Sequence, residues 1–240
     1  MAKGDTSSQK SEQERVEALA DYMFKKQLPV EEQVIRFVYK DLKPYIQGPE
    51  VLELGAGTGQ MTRWLVQDFA HVTAMDGAAS KLANIQDAPN LVTIHALFDE
   101  FETDRLFNTI TMASILEYVE QPVALLERAK YWLAPGGRIL ASVPNAHSIH
   151  RLAGIKMGLL KDPRDLTQDG YLRVYTPETL RKDVESAILR ITKMGGTFFK
   201  PLSYQQIQEQ WTPEMIQGFY ELGKDFPENT AEIFAVCVLP

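Results

Sequence analysis

The sequence predicts an α/β fold built on a mostly parallel sheet covered by helices on both faces. Three observations carry this expectation. Apolar strands alternate with amphipathic helices between residues 50 and 143. A turn with glycines at 55, 57 and 59 joins the first of those strands to a helix. Two further apolar strands near the carboxyl end are joined by a connection that contains a helix, which suits a last strand that returns antiparallel.

The elements follow in order. Residues 13–26 place Val16, Leu19, Ala20 and Met23 on one helical face, and residues 30–42 do the same with Val34, Phe37, Val38 and Tyr39. Leu28-Pro29 separates the two helices and Pro44 ends the second. Both precede the glycine strand, so they are expected to cover one edge of the site behind it, with Tyr22, Phe24 and Arg36 in reach of a ligand. Strands are expected at 50–54, 71–75, 91–95, 106–112 and 138–143, and helices at 60–69, 80–86 and 122–133. Pro135-Gly136-Gly137 should stop the last of these helices.

Residues 145–175 break the alternation and read as a lid insert, with a helical stretch at 149–160, then Asp162-Pro163 and a polar loop. Thr176-Pro177-Glu178 opens the next helix, with Thr as N-cap, Pro at the first helical position and Thr179 at the capping-box partner position. A sixth strand at 188–194, a helix at 211–222 and a seventh strand at 231–239 complete the chain. In such sheets ligands bind beyond the carboxyl ends of the strands. Functional residues should therefore follow Gly55, Asp76, Ala96, Ala113 and Pro144.

Composition narrows the function. The 240 residues fit one domain with an elaboration, and the net charge of −7 disfavours a nucleic-acid face, which needs clustered Lys and Arg. Cys237 is the only cysteine, which excludes an intramolecular disulfide and fits a reducing, cytoplasmic setting. No run approaches the roughly 18 apolar residues of a membrane span, so no spanning segment is expected. Residues 1–12 are small, polar and charged and read as a disordered tail, leaving 13–240 as the domain. Trp211, Phe219 and Tyr220 suit either core or a homodimer face.

The glycine turn separates two cofactor classes. A dinucleotide turn wants G-x-G-x-x-G, but Gln60 stands where the third glycine should be. Glu53 lies just ahead of the turn, where a carboxylate would disfavour a pyrophosphate and favour an amino group or sulfonium. Asp76, at the end of the next strand, could hold a ribose diol in either class.

Glu53-Leu-Gly-Ala-Gly-Thr-Gly59 resembles the first motif of class I S-adenosylmethionine-dependent methyltransferases. Asp76, Ala113-Ser-Ile-Leu-Glu-Tyr-Val119 and Leu133-Ala-Pro-Gly-Gly137 are similar to that family's later motifs and come in the same order. The resemblance implies a Rossmann-like, seven-stranded sheet with an antiparallel last strand. It also implies S-adenosylmethionine as cofactor and S-adenosylhomocysteine as product. By the same resemblance Gly55, Gly57 and Gly59 approach the methionine part, with Glu53 beneath them, and Asp76 takes the ribose hydroxyls. Gly77, Leu97 and Phe98 flank the adenine, while Ala113 and Ile115 lie beside the sulfonium end. Tyr118 replaces the family's usual histidine, which weakens any role that needs an imidazole there.

Methyl transfer depends chiefly on alignment, and a base helps when the acceptor is a hydroxyl. Histidine suits that task, and His147 and His150 follow the fifth strand. Together with Tyr118 they are the candidate catalytic residues. Asn145, Arg151, Arg173 and Tyr175 are candidate substrate contacts. No carboxylate accompanies His147-x-x-His150 locally, so no metal site is expected. The stretches 143–151 and 173–180 are similar to small-molecule O-methyltransferases of the quinone-biosynthesis and glycan-modifying type. The expected function is therefore O-methylation of a small metabolite or glycan hydroxyl or carboxylate. Small-molecule N-methylation, a silent binding module and a nicotinamide enzyme stand as alternatives, the last disfavoured by Gln60.

Overall fold

The structure, a computed structural model, describes residues 12–26, 28–166 and 170–240, with only the backbone at 23–26. The expected tail at 1–11, the Phe24 side chain and residues 167–169 of the insert lie outside the described residues; Glu12 already belongs to the first helix.

Helices α1 (Glu12–Lys26) and α2 (Pro29–Leu42) lead into β1 (Glu50–Leu54). Then come α3 (Thr62–Asp68), β2 (His71–Asp76), α4 (Ala79–Leu82), β3 (Leu91–His95), β4 (Phe107–Ala113), α5 (Pro122–Ala129) and β5 (Leu133–Pro144). The insert carries α6 (Ile149–Lys156). The chain closes with α7 (Pro177–Ser186), β6 (Arg190–Thr197), α8 (Tyr204–Gln210), α9 (Pro213–Leu222) and β7 (Glu232–Val238). The seven strands form one sheet in the order β3-β2-β1-β4-β5-β7-β6, and β7 runs antiparallel to both β5 and β6.

Side-chain alternation divides the core between the two faces of the sheet. Leu52, Leu54, Ile110 and Met112 pack with Leu125, Leu126, Leu180 and Val184 of α5 and α7. Val51, Val72, Leu140 and Val236 pack with Val38, Leu42 and Leu65 of α2 and α3. A satellite cluster joins Phe37 of α2 to Phe198, Ile207 and Tyr220, with Trp211 and Phe219 against it. The Phe37 and Tyr220 rings stack with centroids 4.1 Å apart. The aromatic residues considered for a homodimer face are thus engaged in an internal cluster.

Several boundaries differ from the sequence reading. Residues 135–137 do not precede the fifth strand; they lie inside it. Leu133 pairs with Phe107 and Arg138 with Thr109, so the intervening residues of β5 bulge. Gly137 is required there, because a Cβ would stand 3.0 Å from the Phe107 carbonyl oxygen and 2.8 Å from that of Ala134. The helices expected at 80–86 and 149–160 are shorter, ending at Leu82 and Lys156. Helix α8 was not expected: only Ile207 in it is buried, so it has little apolar periodicity. Its one legible signal was Ser203 with Gln206, which form a reciprocal capping box. At α7 the Thr179 hydroxyl completes the box, accepting from the Thr176 N–H at 2.8 Å.

Candidate active site

One cavity of about 1330 Å³ opens over the carboxyl ends of β1, β2 and β4 and beneath α1 and α2. Its floor is the glycine turn. Gly55, Gly57 and Gly59 have φ of 74°, 56° and 81°, the left-handed region in which a side chain is strained. At Gly55 a Cβ would meet Ile115 at 2.2 Å, so this glycine makes room for the segment after β4. At Gly57 a Cβ would meet nothing within 4 Å and would point into free space.

Two carboxylates organise the floor. Asp76 accepts from the Gly57 N–H through Oδ2 and from the Ala78 N–H through Oδ1, both at 2.8 Å. Glu53 is buried and accepts from the Thr62 hydroxyl at 2.6 Å. Burial pushes its carboxyl up to about 8, the Thr62 hydrogen bond opposes that, and the charge of Asp76 adds to it. Leu97 and Phe98 line one side of the cavity. Helix α1 closes it from above: Gln13 donates to the Gly77 carbonyl at 2.7 Å, and Glu17 accepts from the Ala79 N–H at 2.8 Å.

Ser114, Ile115, Tyr118, Tyr171, Tyr204 and Glu232 also line this cavity. Ser114 has φ of 53° and directs its hydroxyl to Glu232 Oε2 at 3.4 Å. The Tyr118 and Tyr171 rings meet edge to face, centroids 5.0 Å apart. Behind them Lys200 is buried, with its ammonium 3.7 Å from the centre of the Tyr204 ring.

A family profile described as a methyltransferase domain matches residues 18–193. The chain belongs to this methyltransferase family. Its relatives include a ubiquinone biosynthesis O-methyltransferase of Paraburkholderia phytofirmans, 28% identical over 181 residues, covering 70% of this chain and 76% of the relative. A malonyl-[acyl-carrier protein] O-methyltransferase of Halalkalibacterium halodurans is 23% identical over 223 residues, covering 78% and 81%. Among solved structures, the methyltransferase partner of a Haloferax volcanii methyltransferase activator superposes with a TM-score of 0.63. At 17% identity it covers 97% of this chain and 100% of that one, a likeness of fold.

The methyltransferase is of class I and uses S-adenosylmethionine. The cavity floor fits that cofactor on its own geometry. The free space above Gly57 admits a ligand against the backbone, Asp76 presents a carboxylate at the end of β2, and Glu53 supplies a buried acid beneath a cationic ligand. Gly57→Ala is expected to cost roughly tenfold or more in affinity for S-adenosylhomocysteine, by strain at positive φ and loss of that space. Calorimetric titration checks it, and unchanged affinity would refute the cradle.

Of the residues expected in the site, Glu53, Gly55, Gly57, Asp76, Gly77, Leu97, Phe98, Ala113, Ile115 and Tyr118 line the cavity. Gly59 does not; a Cβ on it would press on Ile85 at 3.0 Å, so it serves the packing of the turn. Tyr22 also lines the cavity, whereas Arg36 does not.

The residues after β5 are corrected. Neither His147 nor His150 lines the cavity. His150 is pushed down to about 3 by burial and by the charges of Lys200 and Arg151, far from the range of a useful base. Asn145 is fully engaged: its amide nitrogen donates to the carbonyls of Glu228 at 2.8 Å and Thr230 at 2.9 Å, and its oxygen accepts from the His147 N–H at 2.9 Å. Arg151 donates to the Pro163 carbonyl at 2.6 Å and to that of Asp165, tying the insert to α6. Arg173 donates to the carbonyls of Leu116, Val119 and Glu120, and Tyr175 to Asp183 at 2.9 Å. Asn145, Arg173 and Tyr175 tie the ends of the insert to residues 228 and 230, to the segment after β4 and to α7, Arg151 ties α6 to the loop that follows it, Asn145 and Tyr175 pair in a bridge, and none of the four lines the cavity.

Sequence reading passed over Ser114, Tyr171, Tyr204, Lys200 and Glu232. One signal was present: Glu232 is the single acid in the apolar run 231–239. The others come from separate stretches with no local pattern.

Proposed function

We propose that the methyltransferase transfers a methyl group to the hydroxyl of a small molecule. In this reading the cofactor lies along Gly55, Gly57 and Asp76, and the acceptor lies against Ser114, Tyr118 and Tyr171. The observation that carries it is the continuity of the cavity from the glycine turn to the chamber around Ser114. The two relatives named above, both O-methyltransferases, support oxygen as the acceptor atom. Bound there, S-adenosylmethionine supplies an electrophilic methyl carbon and a leaving group that departs neutral. The chain itself positions the acceptor and keeps water out, which is where most of the acceleration arises. Helix α1 and Tyr171 of the insert contribute to that enclosure; Leu19 of α1 abuts Gly170, where a Cβ would meet it at 2.3 Å.

The test is incubation with labelled S-adenosylmethionine and a library of small hydroxylated, carboxylated and amino compounds. The expected result is label on an oxygen. Label on nitrogen only would replace the reading with N-methylation, and cofactor binding with no transfer to any compound would leave a binding module.

Cofactor affinity is expected to depend on pH. Glu53 has a folded pKa above its unfolded value, so its contribution to the stability of the free protein is present at low pH and is lost as pH rises through about 8. A bound cation favours the ionised form. Affinity for S-adenosylmethionine should therefore rise up to about pH 8 and then level, and Glu53→Gln should flatten the curve. Titrations across pH 6 to 9 check this; a flat wild-type curve would refute it.

A further inference from the structure

Glu232 opens the last strand of the sheet and faces the cavity, 9% exposed. The Ser114 hydroxyl is its hydrogen-bond partner at 3.4 Å. The charged and titratable groups around it come from separate parts of the chain. Lys200, which follows β6, favours its ionised form. Glu117 and Tyr118 follow β4, Tyr171 belongs to the insert and Tyr204 opens α8, and the charge of Glu232 acts on all of them. Glu31 of α2 acts on Lys200 and Tyr204. Glu117 is fully buried, and its carboxylate oxygens have no hydrogen-bond partner among the described residues. Burial first, then Glu232, hold it well above the carboxylate range.

Lys200 stands against Glu31 and Glu232, and Glu117 is held well above the carboxylate range, so the chamber has no surplus cation to offer an anionic acceptor. That balance calls for an uncharged acceptor, and the tyrosine rings give it flat apolar walls. We propose that Glu232, and neither histidine, is the catalytic base of this chain, taking the proton of a flat hydroxylated acceptor held among Tyr118, Tyr171 and Tyr204. The O–H proton passes to a Glu232 carboxylate oxygen while the acceptor oxygen's electron pair forms the new O–CH3 bond. The electron pair of the broken S–C bond stays on the donor sulfur, and the proton is later released to water. Burial pushes Glu232 up to about 8, against the opposing effects of Lys200 and Ser114. A carboxyl with that value gains its basic form as pH rises towards about 8, and its loss there costs roughly 10²–10⁴-fold in rate.

This inference rests on the hydroxyl-methylation reading, and it can be tested without a known acceptor. The probe is 4-nitrophenol, added as its anion to protein saturated with S-adenosylhomocysteine at a pH above both the probe's own pKa and that of Glu232. The expected result is that binding takes up a proton in the wild type, measured by calorimetry in buffers of different ionisation enthalpy, that the uptake is lost in Glu232→Gln and that it partly returns in Glu232→Asp, with a thermal melt to verify folding. If Glu232→Gln fails to fold, Glu232→Ala takes its place. Uptake that survives in a folded variant without the carboxylate overturns the proposal, as does failure of the wild type to bind the probe while it binds S-adenosylhomocysteine. Failure to bind S-adenosylhomocysteine would instead overturn the reading on which the proposal stands.

Discussion

Replacing Asp76 with Ala lowers affinity for S-adenosylhomocysteine by roughly 10²–10⁴-fold, the expected consequence of losing charge-assisted hydrogen bonds at about 1.5–3 kcal/mol each. The side chain has two tasks. It fixes the turn by accepting from the N–H groups of Gly57 and Ala78, one carboxylate oxygen to each. Its position at the end of β2 also offers the acid to a ribose diol. The tasks separate by ligand and by stability. Adenosine alone should lose affinity as S-adenosylhomocysteine does, while a homocysteine fragment should lose less. Asp76→Asn should recover part of the turn, keeping one acceptor oxygen, but not the charge. A urea midpoint that falls with no selective loss of adenosine would make Asp76 a support of the turn alone.

Asn145→Ala is expected to destabilise the protein by about 3–4 kcal/mol and leave cofactor affinity unchanged. The buried amide joins the end of β5 to residues 228 and 230 before β7 through two donated hydrogen bonds, and accepts a third from the His147 N–H. For a chain of this size that corresponds to a melting temperature lower by roughly 6–16 °C. Asn145→Asp should be worse than Ala, because it sets an anionic oxygen against the carbonyls of Glu228 and Thr230. Denaturant unfolding measures the first effect and calorimetry the second. A stable Asn145→Ala protein that no longer methylates would restore Asn145 to the substrate site.

The sheet and the cofactor floor were legible because their causes are local. Val51, Leu52 and Leu54 are apolar because β1 is covered on both faces, and glycines stand at 55, 57 and 59 because each has positive φ. Such needs leave their mark residue by residue. The bulge in β5 was not legible, since Pro135-Gly136-Gly137 reads equally well as a helix stop; the close approach of β4 decides it. The surroundings of the histidines were illegible for a related reason. Position after β5 placed them at the correct edge of the sheet, but neither lines the cavity, and His150 lies near the charges of Lys200 and Arg151, which come from distant parts of the fold.

By itself the sequence determined the fold class and the place where the cofactor floor lies, because apolar periodicity and glycine spacing are local consequences of burial and backbone conformation; the cofactor followed from the resemblance of its ordered motifs. Only the tertiary structure decided which side chains face the acceptor. Ser114, Tyr118, Tyr171, Tyr204 and Glu232 come from four stretches that share no pattern, and Lys200 sits behind them. Their meeting depends on β7 returning between β5 and β6 and on the insert folding back over the sheet. Long-range packing and the desolvation that accompanies it create a buried acid beside tyrosine rings, and no single segment carries that information.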